Sequence, residues 1–311
     1  MVRGADVVVV GGVNRDYLVK GERLPAPGET LQGDSFQEAA GGKGANQAVA
    51  VVRLGGRAAL IGRIGADHRG AATLAQLAAE GVDVTQVRRE ADAPTGVALI
   101  FTDRSGEKEI LVAPGANLRV TEADVDAARE PIQSARVLLT QLEVPVAAVL
   151  HALRLAKAAG RRTVLDPAPA APLSADVLRL VDVIRPNASE AEALTGVAVV
   201  DAPSAERAAR LLLDRGVGAV VLQAGDAGDL LVSRSERRLF PRHPVESVDA
   251  TGAGDAFAAA LAVGLAEGQP LAEAAAFGSA AAALATTRLG AQAGLPRRSE
   301  VLELLARAPG R

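Results

Sequence analysis

Asp249-Ala250-Thr251-Gly252-Ala253-Gly254-Asp255, followed by the apolar run Ala256-Phe257-Ala258-Ala259-Ala260-Leu261-Ala262-Val263, is the stretch from which the rest of the chain is best read. Gly252, Ala253 and Gly254 stand where a loop becomes a helix. Without bulky side chains, the backbone N–H groups of that first turn can approach an anion, and they lie at the positive end of the helix dipole. Asp255 then sets a carboxylate at the edge of this anion cradle. A negative charge there opposes simple binding, so it needs a chemical reason. Taking a proton from a hydroxyl that attacks a phosphoryl group held in the cradle supplies one. An isolated Gly-rich helix start is equally well read as a tight turn with a dipole-favoured carboxylate. Here the signature is longer, and a second Gly-rich site lies far upstream.

That second site is Gly41-Gly42-Lys43-Gly44-Ala45-Asn46-Gln47. Of 34 lysines and arginines only four are lysines, Lys20, Lys43, Lys108 and Lys157, so a lysine wedged among glycines stands out from random surface charge. The glycines let backbone approach a ligand, and Asn46 offers polar groups from the first helical turn. The string is not a Walker A loop, which requires G-x-x-x-x-G-K-[ST]. Nor does Val7-Val8-Val9-Val10-Gly11-Gly12-Val13-Asn14 continue as G-x-G-x-x-G. The dinucleotide fingerprint is therefore missing, which disfavours a Rossmann oxidoreductase.

The 311 residues, 49% of them hydrophobic, suffice for one large α/β domain with an appended element, or for two domains. With no Trp, one Tyr and five Phe, the core must be built from Ala, Val and Leu. A net charge of −3 without a basic run argues against nucleic-acid or anionic-membrane partners. No apolar stretch reaches membrane-spanning length, and the N-terminus enters a valine strand without a signal-peptide pattern. The absence of cysteine excludes disulfides, thiolate catalysis and cysteine metal sites, so a cytoplasmic enzyme is expected.

Short β-branched runs alternate with Ala/Leu-rich segments of helical spacing, the pattern of a mostly parallel, doubly wound sheet with helices on both faces. Strands are predicted at Val7–Val10, Ala58–Ile64, Val137–Gln141, Thr163–Leu165, Val183–Ile184 and Ala219–Gln223. Helices are predicted at Ala45–Leu54, Gly70–Glu80, Glu122–Glu130, Val146–Ala159, Ala205–Asp214, Ala253–Glu267, Leu271–Thr287 and Glu300–Arg307. Thr121 to Asp124 reads as a capping box. Two segments, Asn14–Gln37 and Thr95–Val112, break the rhythm and read as extended strands joined by turns, one of them at Asp103–Glu107. His68, His151 and His243 share no metal-ligand spacing and read as structural or surface residues, while Asp67 and Arg69 read as shaping a turn and helix start.

Several further pieces occur in a recognisable order. They are Gly12-Val13-Asn14-Arg15-Asp16, Pro27-Gly28-Glu29-Thr30, Thr95-Gly96-Val97-Ala98, Asp166-Pro167-Ala168-Pro169, Pro186-Asn187-Ala188-Ser189-Glu190 and Arg288-Leu289-Gly290-Ala291-Gln292. With the two Gly-rich sites they are collinear, and the chain resembles the ribokinase-like (phosphofructokinase B-type) carbohydrate kinases over nearly all its length. The Gly41–Gln47 string is more similar to the ribose-directed members than to the fructose- or nucleoside-directed ones. The resemblance implies a single α/β domain over residues 1–311. It also implies a small β-sheet lid, formed by about 14–40 and 95–112, that often serves as a homodimer interface.

The resemblance also assigns roles. Asn14, Asp16, Gly42, Lys43, Asn46 and Glu143 would bind a sugar, with Asp255 as catalytic base and Gly252, Ala253 and Gly254 as the anion hole. Asn14 and Asp16 alone could form an Asx turn, and Glu143 alone could be a solvated loop carboxylate. Asn187 and Glu190 would lie by the nucleotide phosphates and the Mg²⁺ hydration shell; Ser189 also reads as an N-cap, with Glu190 a first-turn carboxylate. Gln223, Gly225, Gly228 and Ser279 would meet the nucleotide, although Gln223 stands where a small hydroxyl residue is usual, Asp226 adds charge near the phosphate path, and Ser279 replaces a more common Asn or His. Asp249, Thr251, Ala285, Arg288, Gly290 and Gly294 would surround a monovalent cation such as K⁺, mostly through backbone carbonyls; alternatively, Arg288 could itself balance Asp249. The function implied is ATP-dependent phosphorylation of D-ribose. Deoxyribose, fructose or a ribonucleoside are alternative acceptors, and a non-catalytic sensor would have no need of Asp255 in an intact cradle.

Overall fold

The computed structural model describes residues 4–104 and 107–307. In chain order the strands are β1 (Val7–Val10), β2 (Asn14–Lys20), β3 (Ser35–Gly41), β4 (Ala58–Gly65), β5 (Asp83–Glu90), β6 (Gly96–Thr102), β7 (Lys108–Ala113), β8 (Val137–Thr140), β9 (Arg162–Leu165), β10 (Val183–Ile184), β11 (Ala219–Gln223), β12 (Asp229–Ser233) and β13 (Arg237–Phe240). Nine of them form one sheet in the order β13-β12-β11-β10-β9-β8-β1-β4-β5, parallel from β11 to β5 and antiparallel at β12 and β13.

The unbroken Val7–Val10 run follows from burial on both faces. Val7 and Val9 enter the apolar cluster on one side, Val8 and Val10 the cluster on the other. The helices Ala253–Ala266 and Leu271–Ala285 pack in the first of these clusters. Ala253–Ala266 is apolar on nearly every face, as suits a helix enclosed by its neighbours. The helix behind the cradle is therefore held by the core.

The remaining four strands form a second sheet, β3-β2-β6-β7, in which β2 runs antiparallel to β3 and parallel to β6. Part of the expected 103–107 turn, residues 105 and 106, lies outside the described residues. The register places Asp16, Leu18 and Lys20 opposite Ala98, Ile100 and Thr102, and Thr102 opposite Lys108, all on one face.

The structure departs from the predicted elements where sequence signals are weak. The strands β5, β12 and β13 were not expected; polar, partly exposed positions hide the pattern in β5 and β13, and β12 has only three apolar residues, Leu230 to Val232, between polar ends. The single helix expected over Glu122–Glu130 is two, Glu122–Ala127 and Arg129–Ser134, because Pro131 cannot continue the first helix past the Ala127 carbonyl. The Thr121–Asp124 capping box forms as read.

Candidate active site

Two helix N-termini meet at the carboxyl edge of the large sheet. Gly42 caps Lys43–Arg53 at φ 86° and Gly252 caps Ala253–Ala266 at φ 82°, both in the left-handed region that only glycine adopts cheaply. A Cβ on Gly42 would come within 2.7 Å of the Gly12 carbonyl oxygen, so the close approach also demands glycine.

Asp255 lies between these turns, only 4% exposed. Asn46 donates from Nδ2 to Asp255 Oδ2 at 3.0 Å, and Gln47 donates from Nε2 to Asp255 Oδ1 at 3.1 Å. Gln47 Nε2 also donates to Asp166 Oδ2 at 2.9 Å. The Lys43 ammonium stands 3.4 Å from Asp166 and 3.9 Å from Asp255. Gln141 and Gln292 in turn orient Gln47 and Asn46. Burial pushes the Asp255 carboxyl up, the Lys43 ammonium pulls it back, and Asp166 adds to the rise. A carboxylate with raised proton affinity is suited to a general base. Burial works against the Lys43 ammonium, but Asp166, Asp255 and Glu143 together hold its proton more tightly than usual.

On one side of Asp255 lie the residues read as sugar ligands. Asn14 is buried, accepting at Oδ1 from Asn117 Nδ2 at 2.8 Å, and Glu143 Oε2 accepts from the Lys43 amide at 2.8 Å. Asp16 is 8% exposed, and its Oδ1 is buried with no hydrogen-bond partner among the described residues. Such an orphaned acceptor is costly unless a ligand satisfies it. Burial, with the Asp255 charge behind it, pushes the Asp16 carboxyl up to about 7. Burial does the same to Glu143, also to about 7, against the pull of Lys43.

On the other side opens a cleft of about 590 Å³. Asn187, Glu190, Gln223, Gly252, Ala253, Gly254, Asp255 and Ser279 line it, together with Lys43, which the sequence placed with the sugar ligands. Several details differ. The Ala253 amide donates to the Ala250 carbonyl at 3.2 Å, so it is not available to an anion. The amides of Gly252, Gly254 and Asp255 have no acceptor among the described residues, so Asp255 takes the place of Ala253 in the hole. Gly225 and Gly228 do not line the cleft; with φ of 62° and 111° they fold the turn between β11 and β12. Asp226 faces solvent and pairs with Arg242, which lines the cleft, so its charge is partly balanced. Asn187, not Ser189, caps the helix Ala188–Thr195, in a capping box with Glu190.

The cleft also contains residues the sequence reading passed over. Arg185, 8% exposed, lies over the Phe257 ring at 4.7 Å, with its Nη1 3.1 Å from where a Cβ on Gly254 would stand. Its buried Nε lacks a partner among the described residues. A charged side chain closing an apolar strand at its carboxyl end was the available signal. His243, read as a structural or surface residue, lines the cleft half-buried, and burial lowers its proton affinity. Ser279 donates to Asp229 Oδ2 at 2.7 Å, so its hydroxyl is engaged within the protein.

Of the group read as a cation site, Thr251 and Gly290 hydrogen-bond to Asp249, but a lysine side chain reaches that carboxylate too. Lys108 Nζ donates to Asp249 Oδ1 at 3.1 Å and to Thr251 Oγ1. Arg288 pairs with Glu300 rather than balancing Asp249.

Residues 5–298 match the model of the pfkB family carbohydrate kinases. The chain is 40% identical over 302 residues to a ribokinase of Haemophilus influenzae, spanning 97% of this chain and 99% of that one. It is 37% identical over 301 residues to a ribokinase of Bacillus subtilis, with 97% and 99% covered. Among solved structures, the Arabidopsis thaliana ribokinase complexed with ribose and ATP is 33% identical and superimposes with a TM-score of 0.90, over 98% of this chain and all of that one.

Proposed function

The chain belongs to the pfkB family of carbohydrate kinases, and on that premise we propose that it transfers the γ-phosphoryl group of ATP to the primary hydroxyl of D-ribose, giving D-ribose 5-phosphate and ADP. The observation that carries this reading is the position of Asp255. It stands between an orphaned sugar-side acceptor, Asp16, and the unengaged amides of Gly252 and Gly254 on the nucleotide side.

In this reading the hydroxyl gives its proton to the Asp255 carboxylate as its oxygen bonds to the γ-phosphorus, and the bond to the β-phosphate oxygen breaks. The free amides and the Arg185 guanidinium stabilise charge on the transferring group. Asn14, Asp16 and Glu143 accept sugar hydroxyl protons, and Lys43 holds the carboxylates together so that the hydroxyl, rather than water, is aligned for attack. Mg²⁺ enters with ATP and neutralises phosphate charge. Glu190 and Asn187, hard oxygen donors on the cleft wall, are chemically fit to hold its hydration shell. K⁺ does not fit with the lid in this position, because Asp249 Oδ1 already receives an ammonium and Oδ2 the Gly290 amide, and no step is routed through it.

The small sheet is the lid over the sugar. Its exposed Phe36, Leu99 and Leu111, on the face opposite Asp16, support a homodimer formed through that outer face. No helix among the described residues is long and apolar enough to cross a membrane. ATP as donor suits a cytoplasmic enzyme.

The test is ADP release at fixed Mg-ATP with a panel of pentoses, hexoses and nucleosides. Ribose should give the highest kcat/KM; a nucleoside ahead by tenfold, about 1.4 kcal/mol, overturns the assignment.

Protonation gives a second expectation. Asp16 and Glu143, both raised to about 7, accept hydroxyl hydrogen bonds at both oxygens and with charge assistance only when ionised. Lowering the pH from 8 to 6 protonates them, so the ribose KM should rise, by about tenfold if one group governs and more if both do. Initial rates at varied ribose and saturating Mg-ATP would show it, and a flat KM across that window would remove both carboxylates from sugar binding.

A further inference from the structure

Lys108 is one of four lysines in the chain, and it opens strand β7. Cross-strand register puts it in one row with Thr102 and Lys20, on the face of the small sheet that also bears Asp16. From there its ammonium meets the loop just ahead of the cradle. Asp249 Oδ1 accepts from Lys108 Nζ at 3.1 Å, from the Thr251 amide at 2.9 Å and from Thr251 Oγ1 at 2.6 Å, while Oδ2 accepts from the Gly290 amide at 2.8 Å. Just ahead of Gly290 in the chain, the carbonyl oxygens of Ala285 and Arg288 approach Gly294, 2.6 and 3.4 Å from where a Cβ there would stand. The surroundings suit a monovalent cation, and the cation present is a side chain. An ammonium group carries the charge of K⁺ and is close to it in size.

We propose that Lys108 is a positioning residue whose ammonium replaces the monovalent cation beside Asp249, tying the lid to the loop that presents the phosphate cradle. Two consequences follow from the connectivity. Asp249 is neutralised only when the lid lies over the site, so cradle order is coupled to closure. The enzyme also needs no K⁺, because an external cation beside Asp249 would face the ammonium charge. This rests on the kinase reading above.

The experiment compares wild type and Lys108→Met in K⁺ and in tetramethylammonium at constant ionic strength, by initial rate and by thermal melting. Wild type should give equal rates and equal melting temperatures in both salts. Lys108→Met should lose about tenfold in rate in tetramethylammonium, a typical coupling between sites, and recover most of it in K⁺. Its melting temperature should also rise in K⁺, since an ion that binds only the folded state stabilises it. A structural lysine, once lost, would not be replaced by an ion. Activation of wild type by K⁺, with Lys108→Met responding to the same degree, overturns the proposal. The melting comparison reads ion binding whether or not ribose is the acceptor, so failure of the kinase reading and failure of this one remain distinct.

Discussion

Asp255→Asn should lower kcat by about 10²- to 10⁴-fold, the usual contribution of a positioned general base, while the ribose KM stays close to wild type. The side chain keeps its volume, and its amide oxygen can still accept from Asn46 or Gln47. What disappears is the site that takes the hydroxyl proton. Because burial already disfavours the ionised carboxyl, the variant should melt no lower than wild type at pH 8. Steady-state kinetics beside a melting curve separate the two roles. Near-normal kcat would remove Asp255 from the chemistry, and a large fall in melting temperature would make it structural.

Asp16→Ala should weaken ribose binding by about 10²- to 10⁴-fold at pH 8, the loss of two charge-assisted hydrogen bonds at roughly 1.5–3 kcal/mol each. An ATP analogue should bind as before, since Asp16 does not line the nucleotide cleft. The unpartnered Oδ1 adds a diagnostic. Removing a buried acceptor that nothing satisfies should leave the unliganded protein at least as stable. Calorimetry showing equal losses for ribose and nucleotide would mean that Asp16 supports the fold instead.

The cradle was legible because its chemistry is local. Gly252, Gly254 and Asp255 are consecutive or nearly so, and a Gly-rich turn ahead of an apolar helix predicts its own backbone. The parallel order of the large sheet was legible from the alternation of short valine-rich runs and helices. What the sequence did not disclose depends on contacts across the chain. Gln47, 208 residues from Asp255 in sequence, joins it to Asp166 through Nε2 bonds to both carboxylates, an orientation set only by packing. Arg185 and His243 reach the cleft from strand ends and loops with no motif of their own. Ala253 was read as a donor because the helix start was visible, whereas the turn back to Ala250 that consumes its amide was not. Lys108 was conspicuous by rarity, but only the register of the small sheet brings it to Asp249.

Product analysis tests the central claim most directly. Ribose and Mg-ATP are incubated with the enzyme, and the phosphorylated sugar is identified by ³¹P and proton NMR. The account predicts one phosphate ester on the C5 methylene, formed in step with ADP and about 10²- to 10⁴-fold more slowly when Asp255→Asn replaces the wild type. ADP formed without a sugar phosphate, a phosphate at another carbon, or the same product rate from Asp255→Asn would contradict it.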